Sequence, residues 1–217
     1  MNLKKSIALY IILWLFFNSV TLNSSPKQLH FKHYVRNDGL AGTLVRKIAQ
    51  DNYGFIWLGS DNGLTKFDGS SFQVFQHNPE DSTSLPANFV NNIFIDSKGR
   101  LWVATLAGLS LFNYETSTFR NFIPFPHKIE DHTINIVYGI TEDDQGRIIF
   151  HLENGNLFYI SDDYQIEHIL NLELQGSKIM KQDNKGNLWI TDNNILYKYN
   201  IKNNVTSNYK LADNEET

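Results

Sequence analysis

Four polar residues occupy the same position in a pattern that recurs along this chain, and their side chains suit the binding of a charged or ring-shaped ligand. Each lies five residues before the aspartate of an Asp-x-x-Gly motif, and the four are Arg46, Asn91, Tyr138 and Lys178. Arginine and lysine pair with a uronate or a sulfate, and tyrosine can stack on a sugar ring. We take this row as the candidate ligand site, and solvated lining of a central channel is the alternative for any single member.

Two further candidates for ligand binding, Asp61 and Asn62, lie in a loop of the first repeat. This loop joins the second and third predicted strands, so we expect it on the same face of the fold as the segment that leads into the first strand. The equivalent loops of the other repeats contain Leu106, Ala107, Glu153, Asn154, Asn193 and Asn194.

The histidines do not form a recognisable metal-binding or catalytic motif. His30 and His33 would lie on opposite faces of a strand, because successive side chains alternate there. The loop that contains His127 and His132 is better explained as a solvated loop than as a cation site. The chain has no Gly-x-Ser-x-Gly motif. We therefore expect no metal, no cofactor and no catalytic residue in this chain.

These candidate residues belong to four sequence repeats that predict a β-propeller. Each repeat opens with Asp-x-x-Gly, a Trp or Ile follows three residues later, and the aspartates are 45, 47 and 40 residues apart. The repeat residues are Asp51, Gly54 and Trp57, then Asp96, Gly99 and Trp102, then Asp143, Gly146 and Ile149, then Asp183, Gly186 and Trp189. A period of about 40 to 50 residues with short apolar strands and glycine-rich turns is typical of propeller blades.

The recurring aspartate and tryptophan are interpreted as structural residues. An aspartate carboxylate can accept hydrogen bonds from the backbone of its own turn. A calcium loop would need several oxygen ligands within a few residues, and each copy offers only one or two. The tryptophan lies near the start of the second predicted strand of its blade and is expected to pack between adjacent blades.

The predicted fold class is all-β, with about four four-stranded blades of an incomplete propeller ring. Segments of β-branched and aromatic residues alternate with turns of Gly, Asp, Asn and Ser. The predicted blades span about residues 40–76, 85–122, 133–170 and 174–210, and residues 29–35 are predicted as a strand that closes the ring. Four blades leave strand edges and a blade face uncovered, so we expect a longer parent protein.

The composition and the N-terminus predict an exported protein. The 217 residues contain no cysteine and carry a formal net charge of −4, which gives no basic surface for nucleic acid. Two lysines precede an apolar run at residues 7–17, which is too short for the roughly 20 residues of a membrane span. We predict a signal peptide over residues 1–25 and a partial propeller over residues 26–217, with an uncleaved anchor as the alternative.

The segments at residues 31–40 and 54–112 resemble two-component regulator propeller repeats. The stretches FKHYVRNDGL and GFIWLGSDNGLTKF carry this resemblance most clearly. It weakens in the third repeat, where Ile149 replaces the tryptophan, and in the fourth, where Ile195 replaces a glycine. Such repeats form the N-terminal periplasmic sensor region of hybrid two-component systems in Bacteroides-type bacteria.

The resemblance implies a seven-bladed ring within a larger periplasmic sensor that is anchored in the inner membrane and acts as a homodimer. It implies that this segment perceives an oligosaccharide and signals to a histidine kinase that is absent from this chain. The segment itself would not be an enzyme. Two alternatives from other classes stay open: a propeller-type polysaccharide lyase or hydrolase, and a propeller that binds proteins without catalysis.

Overall fold

The computed structural model describes residues 29–127, 134–172, 174 and 179–211, and this part of the chain is built from short antiparallel strands. Most strands are rich in apolar and β-branched residues, and the turns between the strands of a blade contain glycine, aspartate or asparagine. The strands are β1 (Val45–Gln50), β2 (Ile56–Ser60), β3 (Gly63–Phe67), β4 (Phe72–Phe75), β5 (Val90–Ile95), β6 (Leu101–Thr105), β7 (Gly108–Asn113), β8 (Thr118–Phe122), β9 (Val137–Glu142), β10 (Ile148–Leu152), β11 (Asn156–Ile160), β12 (Ile166–Asn171), β13 (Ile179–Gln182), β14 (Asn187–Asp192), β15 (Ile195–Asn200) and β16 (Val205–Lys210).

The strands form four antiparallel sheets of four strands each, and within every sheet the strands follow their order in the chain. We call these sheets blades 1 to 4: β1–β4, β5–β8, β9–β12 and β13–β16. The first strand of each blade contacts the first strand of the next, so β1, β5, β9 and β13 are neighbours in that order. This arrangement confirms the predicted fold class, four four-stranded propeller blades.

The N-terminal segment differs from the prediction of a closing strand at residues 29–35. These residues have no regular secondary structure, and a 3-10 turn at Arg36–Asp38 follows them. A strand forms only where a partner accepts and donates its backbone hydrogen bonds, and no described strand pairs with this segment. A division between two compact units falls between His33 and Tyr34. The signal peptide predicted over residues 1–25 lies outside the described residues.

The apolar core lies between consecutive blades. One cluster joins Trp57 of blade 1 to Val90 and Ile93 of blade 2, and a second joins Trp102 of blade 2 to Ile140 of blade 3. Trp57 and Trp102 are fully buried, which agrees with their predicted place between blades. A third cluster joins blades 3 and 4. In the part of the chain that the structure describes, no helix is long and apolar enough to cross a bilayer.

Candidate functional site

The first strands of blades 1, 2 and 3 each contain a β-bulge at their second residue. In blade 1, Val45 pairs with Ser60 and Lys47 pairs with Gly59, so Arg46 between them has no partner in the adjacent strand. The same shift leaves Asn91 and Tyr138 unpaired in blades 2 and 3. A bulge redirects the side chain of the extra residue and often occurs beside a functional site.

The three bulges lie around one cleft of about 440 Å³. The residues that line this inner cleft are Leu44, Val45, Arg46, Lys47, Asn91, Asn92 and Tyr138. The structure therefore brings together three of the four residues that the repeat pattern selected. The fourth, Lys178, lies outside the described residues.

Two asparagines of β5 hold the bulge of β9 in place across the blade boundary. The side-chain amide of Asn91 donates to the carbonyl oxygen of Val137 at 3.0 Å, and that of Asn92 donates to the carbonyl oxygen of Tyr138 at 3.0 Å. The Oδ1 atom of Asn91 is buried and has no hydrogen-bond partner. Buried acceptors are normally satisfied, so this oxygen is an exception, and its burial keeps it from a ligand that enters the cleft.

The charges around the inner cleft are mostly positive. The side chains of Arg46 and Lys47 are exposed, and the Arg46 guanidinium lies 4.8 Å from the ring centre of Phe89. Burial raises the pKa of the Tyr138 hydroxyl, the negative charge of Glu153 raises it further, and the positive charge of Arg46 opposes both. Two cations and a phenol ring are therefore available to an acidic ligand.

Lys47 and Asn92 were missed by the sequence analysis, although they occupy equivalent positions in adjacent repeats. Both lie four residues before the recurring aspartate, and the corresponding residue of blade 3 is Gly139. Regular alternation would place these side chains on the face opposite to Arg46 and Asn91. The bulges alter this alternation, and they depend on pairing with β2 and β6, which the repeat pattern does not specify.

Asp61 and Asn62 do not line the inner cleft. Asp61 Oδ1 accepts a hydrogen bond from the backbone N–H of Leu44 at 3.3 Å. The Asn62 side-chain amide donates to the carbonyl oxygen of Ala41 at 3.0 Å. These bonds hold the segment that leads into β1, so the two residues position the strand that carries Arg46.

The aspartates of the repeated turns accept hydrogen bonds from the turn and the tryptophan of their own blade. Asp51 Oδ1 accepts from the backbone N–H groups of Tyr53 and Phe55 at 3.0 Å each, and its Oδ2 accepts from Trp57 Nε1 at 2.7 Å. The equivalent bonds occur at Asp96 and Asp183. This geometry caps the turn and orients the tryptophan.

The variant turn of blade 3 lacks the tryptophan contact and keeps an arginine contact that blade 2 also has, from Arg100 to Asp96. Asp143 Oδ2 accepts from Arg147 Nε at 2.7 Å, and Ile149 occupies the tryptophan position. In blade 4, hydrogen bonds from the Asn187 side chain, and then from Trp189, lower the pKa of Asp183. Within the described ranges, no group of three or more His, Asp or Glu side chains is arranged to hold a metal ion.

Residues in the turns between strands also form polar contacts with the neighbouring blade. The Tyr114 hydroxyl of blade 2 donates to Asp51 Oδ2 of blade 1 at 2.9 Å, and burial, followed by this bond, raises the pKa of Tyr114. Lys202 of blade 4 pairs with Asp144 of blade 3 at 2.7 Å. Such contacts fix the relative orientation of the blades and hence the shape of the inner cleft.

The histidines considered as metal ligands are exposed where the structure describes them. This holds for His30, His33 and His127, and His132 lies outside the described residues. His151 was not singled out by its sequence surroundings, and it is fully buried in β10.

Comparison with known proteins finds the two component regulator propeller family at residues 39–62 and 84–107. Both segments contain a bulge residue, a capped Asp-x-x-Gly turn and the tryptophan that follows it. Histidine kinase P4 of Formosa agariphila is 36% identical over 81 residues, a match that covers 37% of this chain and 6% of that protein.

Solved structures with this fold include the following two. The extracellular domain of a hybrid two component system from B. thetaiotaomicron is 24% identical, with a TM-score of 0.61, and the match covers 76% of this chain and 24% of that one. Virginiamycin B lyase from Staphylococcus aureus is 18% identical, with a TM-score of 0.59, and the match covers 77% of this chain and 55% of that one. At these identities, the two likenesses establish the fold alone.

Proposed function

This chain carries repeats of the two-component regulator propeller family, and from this premise we propose that it is a ligand-sensing segment of an extracytoplasmic hybrid two-component sensor. The matches to the family model and to a histidine kinase support this role. The structural likeness to an extracellular domain of such a system is consistent with a periplasmic location. The output would pass to a histidine kinase in a longer parent protein that is anchored in the inner membrane.

The inner cleft is the observation that carries the proposal. Its three bulge residues come from three different blades, and its volume of about 440 Å³ falls within the range of small-molecule sites. Arg46 and Lys47 supply hydrogen-bond donors and positive charge, and Tyr138 supplies a ring. Sugars present hydroxyl donors and acceptors together with apolar ring faces. We therefore propose an oligosaccharide ligand that carries a uronate or a sulfate.

Signalling would follow from the position of the ligand across blade boundaries. A ligand that contacts β1, β5 and β9 together binds most tightly to one relative arrangement of these strands. Such differential affinity is what shifts a population between two states. In the parent protein, the two states would be two arrangements of a homodimer.

A direct binding experiment tests the proposal. Isothermal titration calorimetry would compare an oligogalacturonate with a neutral galacto-oligosaccharide on the full chain, the variant Arg46→Ala and the control Arg120→Ala. Arg120 lies on β8 and stacks on Tyr164, away from the residues of the cleft. We expect binding of the acidic sugar only, weakened about 10- to 100-fold by Arg46→Ala because a charge-assisted hydrogen bond is lost.

Three results would overturn the proposal. Equal affinity in Arg46→Ala and the unaltered chain would exclude the inner cleft as the site. Cleavage of either oligosaccharide during the titration would favour a propeller-type lyase or hydrolase. One of the solved structures with this fold is a lyase. Absence of sugar binding together with specific protein capture would favour an interaction propeller.

A further inference from the structure

A buried histidine occupies a position that holds small residues in the other blades. Eight residues after the recurring aspartate, blades 1, 2 and 4 have Gly59, Ala104 and Thr191, whereas blade 3 has His151. The His151 side chain is fully buried. It lies on the same side of β10 as Ile149, which belongs to the apolar cluster between blades 3 and 4.

The imidazole fits because the residue opposite it is a glycine. Gly139 on β9 is the direct pairing partner of His151 on β10. A Cβ atom added to Gly139 would overlap the imidazole ring and would lie 2.8 Å from the Cβ atom of Met180 on β13. The ring therefore occupies the space left by the missing Gly139 side chain, beside the first strand of blade 4.

One nitrogen of the imidazole is satisfied and the other is not. Nδ1 lies 3.1 Å from the carbonyl oxygen of Leu152 and donates to it, so the neutral ring leaves Nε2 as an unprotonated acceptor. Nε2 is buried and has no hydrogen-bond partner. A proton at Nε2 would create a buried charge with an unpaired N–H group, which is strongly unfavourable.

Among the residues that the structure describes, no charged side chain near the imidazole is placed to relieve this cost. The neighbours of His151 across the sheet are Gly139 and Leu157, and Met180 approaches from blade 4. The titratable residues on the surrounding strands are Tyr138 and Glu142 on β9, Tyr159 on β11 and Lys181 on β13. None of them shifts the pKa of His151, which burial lowers to about 4 against a weaker opposing effect of the Leu152 carbonyl.

We propose that His151 makes the interface between blades 3 and 4 sensitive to acid. Protonation of Nε2 separates β9 and β10 from β13, because only separation admits water or an anion to the new N–H group. Gly139 follows Tyr138, the bulge residue of the inner cleft, so the separation also releases the strand that presents Tyr138. Acid would thus weaken ligand binding; this last step rests on the proposed function, whereas the opening of the interface does not.

Hydrogen exchange of the full chain at pH 7.5 and pH 5.0 tests the opening. The samples would be the unaltered chain, His151→Gln and the control His168→Gln, which changes an exposed histidine of the same blade. After correction for intrinsic exchange rates, we expect protection of β9 and β13 to fall about 30-fold more in the unaltered chain and in His168→Gln than in His151→Gln. Strands β1 to β4 would serve as the internal reference.

Equal loss of protection in the unaltered chain and in His151→Gln would overturn the inference. If His151→Gln does not fold, nitrogen chemical shifts of the His151 ring in the unaltered chain decide the matter. Protonation without loss of β13 protection would be the contrary result. Oligogalacturonate binding would be measured separately at both pH values. If the chain binds no oligosaccharide but its interface opens in acid, the proposed function is contradicted and the acid sensitivity of the interface still holds.

Discussion

At the residue scale, the carboxylate of Asp51 closes a turn, orients a tryptophan and joins two blades. It accepts hydrogen bonds from two backbone N–H groups, from the indole of Trp57 and from the hydroxyl of Tyr114 in the next blade. Because Trp57 is fully buried, its N–H group cannot turn to water if this acceptor is removed. The cost of losing the carboxylate is therefore the cost of several unsatisfied donors.

We expect Asp51→Ala to lower the free energy of unfolding by about 3 kcal/mol, because the buried indole N–H of Trp57 and three part-buried donors lose the acceptor they share. Urea denaturation followed by tryptophan fluorescence would measure the loss. Asp68→Ala is the matched control, since Asp68 also caps a turn through Ser70 and Ser71 but is exposed. A loss in Asp51→Ala no greater than in Asp68→Ala would contradict the role assigned to Asp51.

The His151 imidazole gives the folded chain a defined dependence on pH. Above about pH 6.5 the ring is neutral in both the folded and the unfolded chain, so stability does not depend on it. As the pH falls from 6.5 towards 4, the unfolded chain binds a proton that the folded chain excludes, and stability falls. Below about pH 4 both states are protonated, and the loss levels off at about 3 kcal/mol.

Chemical denaturation at pH 7.5, 6.0 and 5.0 would give the free energy of unfolding of the unaltered chain and of His151→Gln. The difference between the two values at each pH measures this dependence. Carboxylates titrate in both proteins, so only the difference reports on His151. We expect the free energy of unfolding of the unaltered chain to fall steadily, relative to that of His151→Gln, as the pH decreases below 6.5. A constant difference across the three pH values would show that the imidazole is not buried in its neutral form.

At the element scale, β9 and β10 are fitted to each other by one pair of residues of unequal size. Gly139 and His151 are opposite each other in the register, and a methyl group on Gly139 would overlap the imidazole. We expect Gly139→Ala to lower the free energy of unfolding by about 1 to 3 kcal/mol through overpacking. His151→Ala should remove the part of this penalty that comes from the imidazole, while the close contact with the Met180 Cβ atom remains, so a double-mutant cycle measured in urea should give a coupling of at least about 0.5 kcal/mol. Additive effects would mean that the ring does not occupy that space.

The strands and the capped turns were predictable from the sequence because both depend on local chemistry. The recurring Asp-x-x-Gly motif contains the carboxylate and the turn that it closes, and the apolar segments on either side set the strands. The bulges at Arg46, Asn91 and Tyr138 were not predictable, because a bulge is a property of two strands in register. The contact between Tyr114 and Asp51 was not predictable either, because it joins residues of two different blades.

At the scale of the whole molecule, the described chain is held together by interfaces between consecutive blades. Each of the three apolar clusters draws its residues from two neighbouring blades. Polar contacts such as Lys202 with Asp144 follow the same pairing of neighbours. In such an array, stability is approximately a sum of blade terms and nearest-neighbour interface terms. An apolar residue should therefore contribute more to the free energy of unfolding where a neighbouring blade covers its side chain.

Ile48 and Ile93 test this expectation, because they occupy the same position in blades 1 and 2. Each lies three residues before the recurring aspartate, yet Ile93 is 3% exposed against blade 1 and Ile48 is 62% exposed. We expect Ile93→Ala to lower the free energy of unfolding by about 3 kcal/mol through lost burial and a cavity, and Ile48→Ala to cost less than about 1 kcal/mol. Urea denaturation at two protein concentrations would measure both. If Ile48→Ala cost as much as Ile93→Ala, the exposed face of blade 1 would have to be covered in solution, and a concentration-dependent cost would assign that cover to a second copy of the chain.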